Sequence, residues 1–324
     1  MSTEKKKKVS ILYIGHIAID NVIKNKVERK PTLGGSVCFS SLALQKYTPH
    51  ADIGIVSKIG TQNFPSALLE KLNGGRINME GVNRIEKNNT NFVLDYSNHY
   101  RKLTLKSRSP DIQFEDIPSQ YLENKPDAII LVPICNEISY NFAQKIAESF
   151  PDSYVGIDLQ GFIRNIDKDG KVSLERDQKK VKSVLKIINL FKNRLICKGS
   201  DLEMQYVSGK TEFDDVMDFF NDFKGIFIMT LGEGGSIITQ KNHGTLKIPA
   251  YKPQKIIDET GAGDVYLSVF MYEYLKSPKD WTSLGEIGRL AAAAASFLIE
   301  RKGVAGFQSK KQVKKRVKKK NYIS

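Results

Sequence analysis

Short apolar runs alternate with helix-like segments along most of the chain. Runs typical of buried strands occupy residues 9–19, 53–59, 128–132, 154–158, 194–197 and 226–231. Segments with helical spacing lie at 36–46, 65–72, 140–149, 177–191 and 213–223, and two more helices begin near Ala262 and Gly285. This repeated alternation predicts an α/β fold in which helices cover both faces of a mostly parallel sheet.

Two charged segments do not fit inside such a sheet. Residues 22–33 alternate weakly between apolar and charged positions, and residues 90–107 alternate on both sides of a polar turn at 97–99. The second pattern is typical of a β-hairpin. Together the two ribbons predict a small β-sheet lid over about 21–34 and 90–108. A further antiparallel hairpin is predicted over 236–248, around Asn242-His243-Gly244.

Composition places the chain among ordinary globular proteins. It has 324 residues, 40% hydrophobic and 27% charged, which argues against collagen, low-complexity disorder and a coiled-coil rod. The length allows two domains or one large domain with a small appendage. The three cysteines are too few and too scattered for a disulfide framework or a zinc site, so we expect a reducing, cytoplasmic environment.

No apolar stretch predicts a membrane span. None approaches the roughly 18–20 residues that a span requires. The lysines at 5–8 followed by an apolar run resemble a signal peptide, but the run contains Gly15 and His16 and stops at Asp20. A buried first strand is the better interpretation.

The net charge of +14 is concentrated at the two ends of the chain. Residues 310–320 contribute +8 and residues 4–8 contribute +3, which leaves the rest of the chain nearly balanced. Terminal runs of like charge predict solvated tails, here 1–8 and 310–324. The alternative is a weak, salt-sensitive contact of the carboxyl-terminal tail with nucleic acid or anionic lipid, without sequence selectivity.

The stretch Gly261-Ala262-Gly263-Asp264 directly precedes a predicted helix. Glycines at this point leave backbone N–H groups unobstructed at the positive end of the helix dipole, which favours an anion. Asp264 lies within this anion site, where it could accept a proton from a substrate hydroxyl. The combination describes a hydroxyl attacking a phosphoryl group. A simple helix cap is the alternative interpretation of the same residues.

The surrounding residues resemble a known family. Asp258 to Asp264 match the signature Asp-x-Thr-Gly-Ala-Gly-Asp of the ribokinase-like (PfkB) carbohydrate and nucleoside kinases. This resemblance implies a three-layer α/β/α domain over 9–309 and phosphoryl transfer with ATP and Mg²⁺. It implies Asp264 as the general base and the N–H groups of Gly261, Ala262 and Gly263 as the anion hole. Asp258 is expected near a monovalent cation such as K⁺; a strand-end carboxylate that bonds to the local backbone is the alternative.

Other segments match further motifs of the family. The family's glycine pair resembles Gly34-Gly35, and its substrate-binding aspartate resembles Asp20, which follows Gly15 in a Gly-x-x-x-x-Asp pattern. A strand-end turn is the alternative for Asp20. The family's turn beside the ATP phosphates resembles residues 230–235, which implies donor contacts at Thr230, Gly232 and Gly235.

The family's Asn-x-x-Glu motif, linked to Mg²⁺ and phosphate, aligns with Ser200 to Glu203. Serine replaces the asparagine there. Glu203 is therefore expected to reach Mg²⁺ through water, and a surface helix carboxylate is the alternative.

The acceptor is harder to predict. Phe39 occupies the position of a sugar-binding asparagine, and the Thr-Leu-Gly-Gly segment before it resembles the inositol-kinase branch and related archaeal kinases, which favours a cyclic polyol. Phe39 could instead point into the core, or stack on the base of a nucleoside. Gln160 and Arg164 follow an apolar strand, where open α/β sheets place ligands; they are expected to contact a hydroxyl and a phosphate.

Several weaker assignments complete the sequence-based hypothesis. Asn136 and Glu137 are further candidate acceptor contacts. The four histidines show no metal-ligand spacing, and we expect them to be structural or exposed; they are His16, His50, His99 and His243. The leading hypothesis is thus a cytoplasmic sugar or polyol kinase, with inositol favoured.

Three alternatives remain open from the sequence. They are a nucleoside kinase of the same fold, a non-catalytic nucleic-acid-binding relative that uses the basic tail, and a sugar sensor without turnover. Because lid strands in this family often pair between subunits, a homodimer is also expected.

Overall fold

The computed structural model describes residues 8–323 except 25, 74 and 99. Its strands are β1 (Val9–Ile14), β2 (Ala18–Lys24), β3 (Val27–Glu28), β4 (Thr32–Gly34), β5 (Ala51–Gly60), β6 (Ile77–Ile85), β7 (Asn91–Asn98), β8 (Tyr100–Ser107), β9 (Ala128–Leu131), β10 (Tyr154–Asp158), β11 (Asn165–Ile166), β12 (Val172–Ser173), β13 (Leu195–Ser200), β14 (Ile226–Thr230), β15 (Ser236–Gln240) and β16 (Gly244–Ile248). Its α-helices are α1 (Ser36–Tyr47), α2 (Glu70–Asn73), α3 (Ser119–Glu123), α4 (Tyr140–Ser149), α5 (Gln160–Ile163), α6 (Gln178–Phe191), α7 (Asp201–Ser208), α8 (Phe213–Asn221), α9 (Ala262–Leu275), α10 (Leu284–Leu298) and α11 (Lys310–Lys319).

Within the described residues, a nine-stranded sheet forms the middle layer. Its order is β16-β15-β14-β13-β10-β9-β1-β5-β6. All neighbours from β14 to β6 pair parallel, whereas β15 and β16 form an antiparallel hairpin at one edge. The predicted α/β fold and the 236–248 hairpin are confirmed.

Two hydrophobic cores lie on the two faces of this sheet. Alternate residues of a strand point to opposite faces, so Tyr13 packs with α1, α9 and α10 while Leu12 and Ile14 pack with α4, α6, α7 and α8. Tyr13 is fully buried, and its hydroxyl lies 2.5 Å from that of Ser268 on α9. The result is the expected three-layer arrangement. No helix in the described part of the chain is both long and apolar enough to span a bilayer.

The lid is a separate small sheet. Strand β2 pairs parallel with β7, β7 pairs antiparallel with β8, and β3 and β4 both pair with β2. The hairpin predicted over 90–107 is confirmed. The lid begins at Ala18, a few residues earlier than expected.

Three local predictions differ from the structure. The apolar run 9–19 is not one strand, because the chain leaves the main sheet after Ile14 and enters the lid; a side chain at Gly15 would overlap the carbonyl of Val132 there. Strand β6 went unpredicted, since this edge strand mixes polar and apolar residues. The helix expected over 65–72 is a 3₁₀ turn at Ser66–Leu68 followed by α2.

The carboxyl-terminal tail corrects a further prediction. Residues 310–319 form helix α11, which packs on α10 through the fully buried Val313. Lys310 forms an ion pair with Glu273 (2.6 Å), and Arg316 forms one with Glu300 (2.6 Å). The solvated-tail prediction for 310–324 was therefore wrong, although the lysines on the outer face stay exposed. Contact with polyanions stays a prediction. The amino-terminal tail, except Lys8, lies outside the described residues.

Candidate active site

A cleft of about 250 Å³ opens where strands β10, β13 and β14 end, under the lid. Ligand sites of open α/β sheets lie at this carboxyl edge. The cleft brings together most of the residues selected from the sequence: Asp20, Gly35, Phe39, Gln160, Arg164, Ser200, Glu203, Thr230, Gly261, Ala262, Gly263 and Asp264. Residues from distant parts of the chain thus meet at one site.

The glycine loop forms the amino terminus of α9. Gly261 has a φ of +83°, a left-handed conformation that glycine adopts without a steric penalty. The Ala262 N–H donates to the Glu259 carbonyl (3.2 Å), which differs from the anion-hole role expected for it. Across the described residues, the N–H groups of Gly261 and Gly263 have no protein acceptor. These two N–H groups are the ones available to an anion.

Asp264 lies in the first turn of α9 and is only 7% exposed. Burial, together with the nearby Asp158 carboxylate, raises the pKa of Asp264 to about 7, although Lys198 opposes the shift. The side-chain amide of Gln160 lies 3.5 Å from its carboxylate. A carboxylate with this pKa can accept a proton near neutral pH.

A buried ion pair lies beside the loop, and its role was not predicted from the sequence. Lys198 on β13 contacts Asp158 on β10 at 2.7 Å, and their side chains are 7% and 2% exposed. Burial alone lowers the pKa of Lys198, but the carboxylates of Asp158, Glu203 and Asp264 hold it above its usual value. Lys198 is therefore a permanent cation at the base of the cleft.

Ser200 and Glu203 begin α7 as a capping box. The Glu203 carboxylate accepts the Ser200 N–H (2.7 Å), and the Ser200 hydroxyl accepts the Glu203 N–H (3.3 Å). Desolvation in the cleft and the Asp158 carboxylate raise the pKa of Glu203. Glu203 thus faces the cleft while one of its oxygens fixes the helix start.

The other end of the cleft lies between the lid and helix α5. Asp20 reaches it from β2, and any side chain at Gly34 would overlap the Asp20 carboxylate. Arg164 donates to the Ile134 carbonyl (2.7 Å) and to the Gln160 side chain (2.9 Å). These contacts fix polar groups on one side of the cleft. The apolar residues that line the cleft beside them are Phe92, Leu94, Leu103 and Ile134.

Phe39 lies partly in the hydrophobic core and partly in the lining of the cleft. Its side chain is 6% exposed and packs edge-on against Phe307 (6.4 Å between ring centres), yet its ring also lines the cleft. An added methyl group at Gly261 would overlap this ring. Phe39 therefore supports the glycine loop from below.

Two residues that were predicted to contact the acceptor substrate, Glu137 and Asn136, do not line the cleft. Glu137 is fully buried, and its carboxylate accepts the N–H groups of His16, Ile134 and Cys135. Asn136 adopts a positive φ of 60°, and its side chain donates to the Arg164 carbonyl (3.0 Å). Both residues support the backbone under the site and do not line the cleft.

Asp258 also has structural contacts. Its carboxylate accepts the N–H groups of Thr260 (3.1 Å) and Gly303 (3.3 Å), and so ties the glycine loop to the turn after α10. The monovalent-cation role of Asp258 stays a prediction.

The three histidines that the structure describes lie in different surroundings. His16 is buried between the Pro110 carbonyl (2.9 Å) and the Thr90 hydroxyl (2.9 Å), and burial lowers its pKa. His50 is exposed, and His243 stacks on Trp281. The fourth, His99, lies outside the described residues.

A second cavity of about 220 Å³ adjoins the first behind the glycine loop. It shares Thr230, Ala262 and Gly263 with the cleft and includes Gly232 and Gly235 of the predicted donor turn. The rest of its lining is mostly apolar and includes Ala250, Tyr251, Ile256, Ala292, Ala295, Ile299 and Ile323. The two cavities meet at the helix terminus.

Several known proteins resemble this chain in sequence or in structure. A model of the pfkB family of carbohydrate kinases matches residues 169–311, the part of the chain that contains the glycine loop, and confirms the resemblance. The nucleoside kinase of Methanocaldococcus jannaschii is 38% identical over 92 residues, which cover 28% of this chain and 28% of that protein. The matched region thus spans less than a third of that relative.

Solved structures with this fold cover almost the whole chain. A fructokinase double mutant of Vibrio cholerae, bound to fructose, ADP and potassium ion, has a TM-score of 0.77 at 15% identity, covering 97% of this chain and 100% of that chain. A pyrophosphate-dependent kinase of the ribokinase family, complexed with a pyrophosphate analog and myo-inositol, has a TM-score of 0.70 at 16% identity, covering 90% and 96%. These likenesses confirm the ribokinase-like fold.

Proposed function

On the premise of this family resemblance, we propose that the chain is an ATP-dependent kinase that phosphorylates a hydroxyl group of a small molecule. The buried Asp264 at the start of α9 carries this proposal. It lies where the polar cleft under the lid meets the glycine loop. An acceptor hydroxyl on one side and a terminal phosphate on the other are within reach of the same carboxylate.

The residues around the loop fit the triphosphate of ATP. The free N–H groups of Gly261 and Gly263 point from a helix terminus, and Lys198 supplies a buried positive charge beside them. Oxygen ligands suit Mg²⁺, and Glu203 offers one carboxylate oxygen in the cleft. When bound, Mg²⁺ neutralises phosphate charge. The second cavity, with its mostly apolar lining, would accommodate the base of the nucleotide.

The chemical step assigns one role to each group. Asp264 accepts the proton of the acceptor hydroxyl, whose oxygen forms a bond to the terminal phosphorus of ATP while the bond to the β-phosphate oxygen breaks. The phosphorylated acceptor and ADP are the products. Gly261 and Gly263 donate hydrogen bonds to the transferred group, and Lys198 offsets its charge.

For the acceptor we propose a nucleoside. Asp20, Gln160 and Arg164 supply polar groups on one side, which suit the hydroxyls of a ribose ring. Next to these polar groups, Phe92, Leu94, Leu103 and Ile134 give the cleft an apolar surface, which suits a flat base. The nucleoside kinase of M. jannaschii supports this choice.

A cyclic polyol is the second candidate acceptor. The polar side of the cleft favours it, because Asp20 and the linked Gln160–Arg164 pair are arranged to bind several hydroxyls. The similarity to a kinase complexed with myo-inositol supports this alternative.

The test is ADP release with Mg²⁺-ATP against a panel of acceptors: adenosine, guanosine, cytidine, myo-inositol, ribose and fructose. Nucleosides are expected to respond most strongly, and Asp264→Asn serves as the inactive control. A response to myo-inositol alone would replace the nucleoside proposal by the polyol. Silence across the panel would overturn both acceptors.

Asp20→Asn is expected to raise the KM for the acceptor by about 10–100-fold and to leave ATP binding unchanged, because a hydrogen bond to a charged group contributes roughly 1.5–3 kcal/mol. Glu28→Gln, an exposed carboxylate of the same lid, is the matched control. Steady-state kinetics with each substrate varied in turn separates the two effects. An unchanged acceptor KM would remove Asp20 from the binding site.

The acceptor kcat/KM is expected to fall about tenfold per pH unit below pH 7, because Asp264 must be deprotonated to act and its pKa is raised to about 7. Rates from pH 5.5 to 8.5 at saturating Mg²⁺-ATP give this profile. The residual rate of Asp264→Asn is the control, since ionisation of ATP itself persists in that variant. A wild-type profile flat down to pH 5.5 would contradict the role of Asp264.

A further inference from the structure

The chain after α11 returns to the body of the protein. The Lys252 N–H donates to the Asn321 carbonyl (2.9 Å), and the Ile323 N–H donates to the Ala250 carbonyl (3.0 Å). Between these bonds the rings of Tyr251 and Tyr322 lie 5.1 Å apart. Residues 321–323 thus form a short antiparallel bridge with 250–252.

This bridge places Ile323 in the wall of the second cavity. Tyr251 lies in the same wall, and the small side chains of Ala292 and Ala295 on α10 also line the cavity. Ile323 is partly buried. A cavity with an apolar interior next to an anion-binding loop suits a flat base attached to phosphates. The carboxyl-terminal segment therefore supplies part of the surface that a base would contact.

Helix α11, which directly precedes this segment, is held against α10 by Arg316. The guanidinium donates to the Ser296 hydroxyl (2.9 Å) and to the Glu300 carboxylate (2.6 Å), and it lies over the ring of Phe297. The same Glu300 oxygen accepts the Gln254 N–H (2.8 Å). Because Ser296 lines the cavity, Arg316 connects α11 to the part of α10 that forms the cavity wall.

We propose that residues 321–323 are part of the donor site, with Ile323 as a specificity-determining residue for the base of the nucleotide and Arg316 of helix α11 as a positioning residue. This inference rests on the proposed kinase function. It assigns a role to the basic terminus that its charge alone does not indicate. The lysines from Lys311 onward are exposed, whereas Arg316 and Ile323 face the protein.

The test measures donor binding directly, without an acceptor. Ile323→Ala is expected to weaken Mg²⁺-ATP binding by about five-fold, since several buried methyl and methylene contacts are lost. Ile323→Trp should weaken it by more than about tenfold, because the larger side chain fills the cavity. Binding of inorganic tripolyphosphate, which has no base, should stay unchanged in both variants. Lys315→Ala, an exposed residue of α11, is the matched control.

The base-free donor separates a specific role from general damage. A loss of both ATP and tripolyphosphate binding would indicate a merely structural role and overturn the proposal. Unchanged ATP binding in Ile323→Trp would also overturn it while leaving the kinase proposal intact. Wild-type protein that binds no Mg²⁺-ATP would overturn both proposals. Arg316→Gln should reproduce the selective loss of ATP binding, and melting temperatures check that each variant is folded.

Discussion

Asp264→Asn is expected to lower turnover by at least ~10²-fold while ATP binding persists, since a general base contributes about 10²–10⁴-fold. The variant keeps the shape of the side chain but cannot accept the proton of the acceptor hydroxyl. Turnover is measured by ADP release, and ATP binding by calorimetry. Asp218→Asn, an exposed carboxylate on α8, is the matched control. Unaltered turnover would remove Asp264 from its catalytic role.

The same variant is expected to raise the melting temperature at pH 8. The pKa of Asp264 is raised from 3.8 to about 7 in the folded protein, so the unfolded chain loses this proton at lower pH than the folded one. The free energy of unfolding therefore falls between pH 4 and pH 7, and the full penalty remains above pH 7. The gain from Asp264→Asn should shrink toward pH 5. A gain independent of pH would mean that the carboxylate carries no desolvation penalty.

The glycine loop and the layer order were predictable because their signals are local. The signature Asp258 to Asp264 is contiguous, and its glycines directly precede a helix. Strand and helix alternation likewise depends on spacing within short windows. The glycine loop and the alternation of strands and helices could therefore be predicted from the sequence, and both are present in the structure.

The buried ion pair of the site, Lys198 with Asp158, was not predictable in this way. Lys198 and Asp158 are 40 positions apart in the sequence, on neighbouring parallel strands, and only the register of β10 with β13 places them side by side. A lysine at the end of an apolar strand is otherwise typical of a residue reaching solvent. The sequence did carry one signal of a buried lysine: Lys198 lies inside the strand Leu-Ile-Cys-Lys-Gly-Ser and not after its end.

Helix α11 shows how a strong compositional signal can hide a weak periodic one. The eight basic residues over 310–320 predicted a solvated tail, yet Val313 and Val317 lie four residues apart and share one helix face. The charge is real, but two of the basic groups, Lys310 and Arg316, pair with acids on α9 and after α10. Those acidic partners lie outside residues 310–320 in the sequence. The charge pattern alone therefore could not show that the segment packs on the protein.

The second large effect is expected from Lys198→Met. It leaves Asp158 buried without its cation, which typically destabilises a protein by about 3–5 kcal/mol. Without Lys198, a positive charge that opposes the rise in the pKa of Asp264 is also lost. Turnover at pH 7 should fall by about 10²-fold or more, as when a donor to the transferring group is removed. Lys247→Met, an exposed lysine of β16, is the matched control.

A double variant separates the stability effect from the catalytic one. Lys198→Met with Asp158→Leu replaces the buried pair by apolar side chains, a change that is often neutral or stabilising. The melting temperature should return toward the wild-type value, whereas turnover should stay low, because the cation beside the glycine loop is still missing. Recovery of turnover together with stability would show that the pair serves only the fold. Persistent inactivity in a stable protein would instead assign Lys198 to the charge of the transferred phosphoryl group.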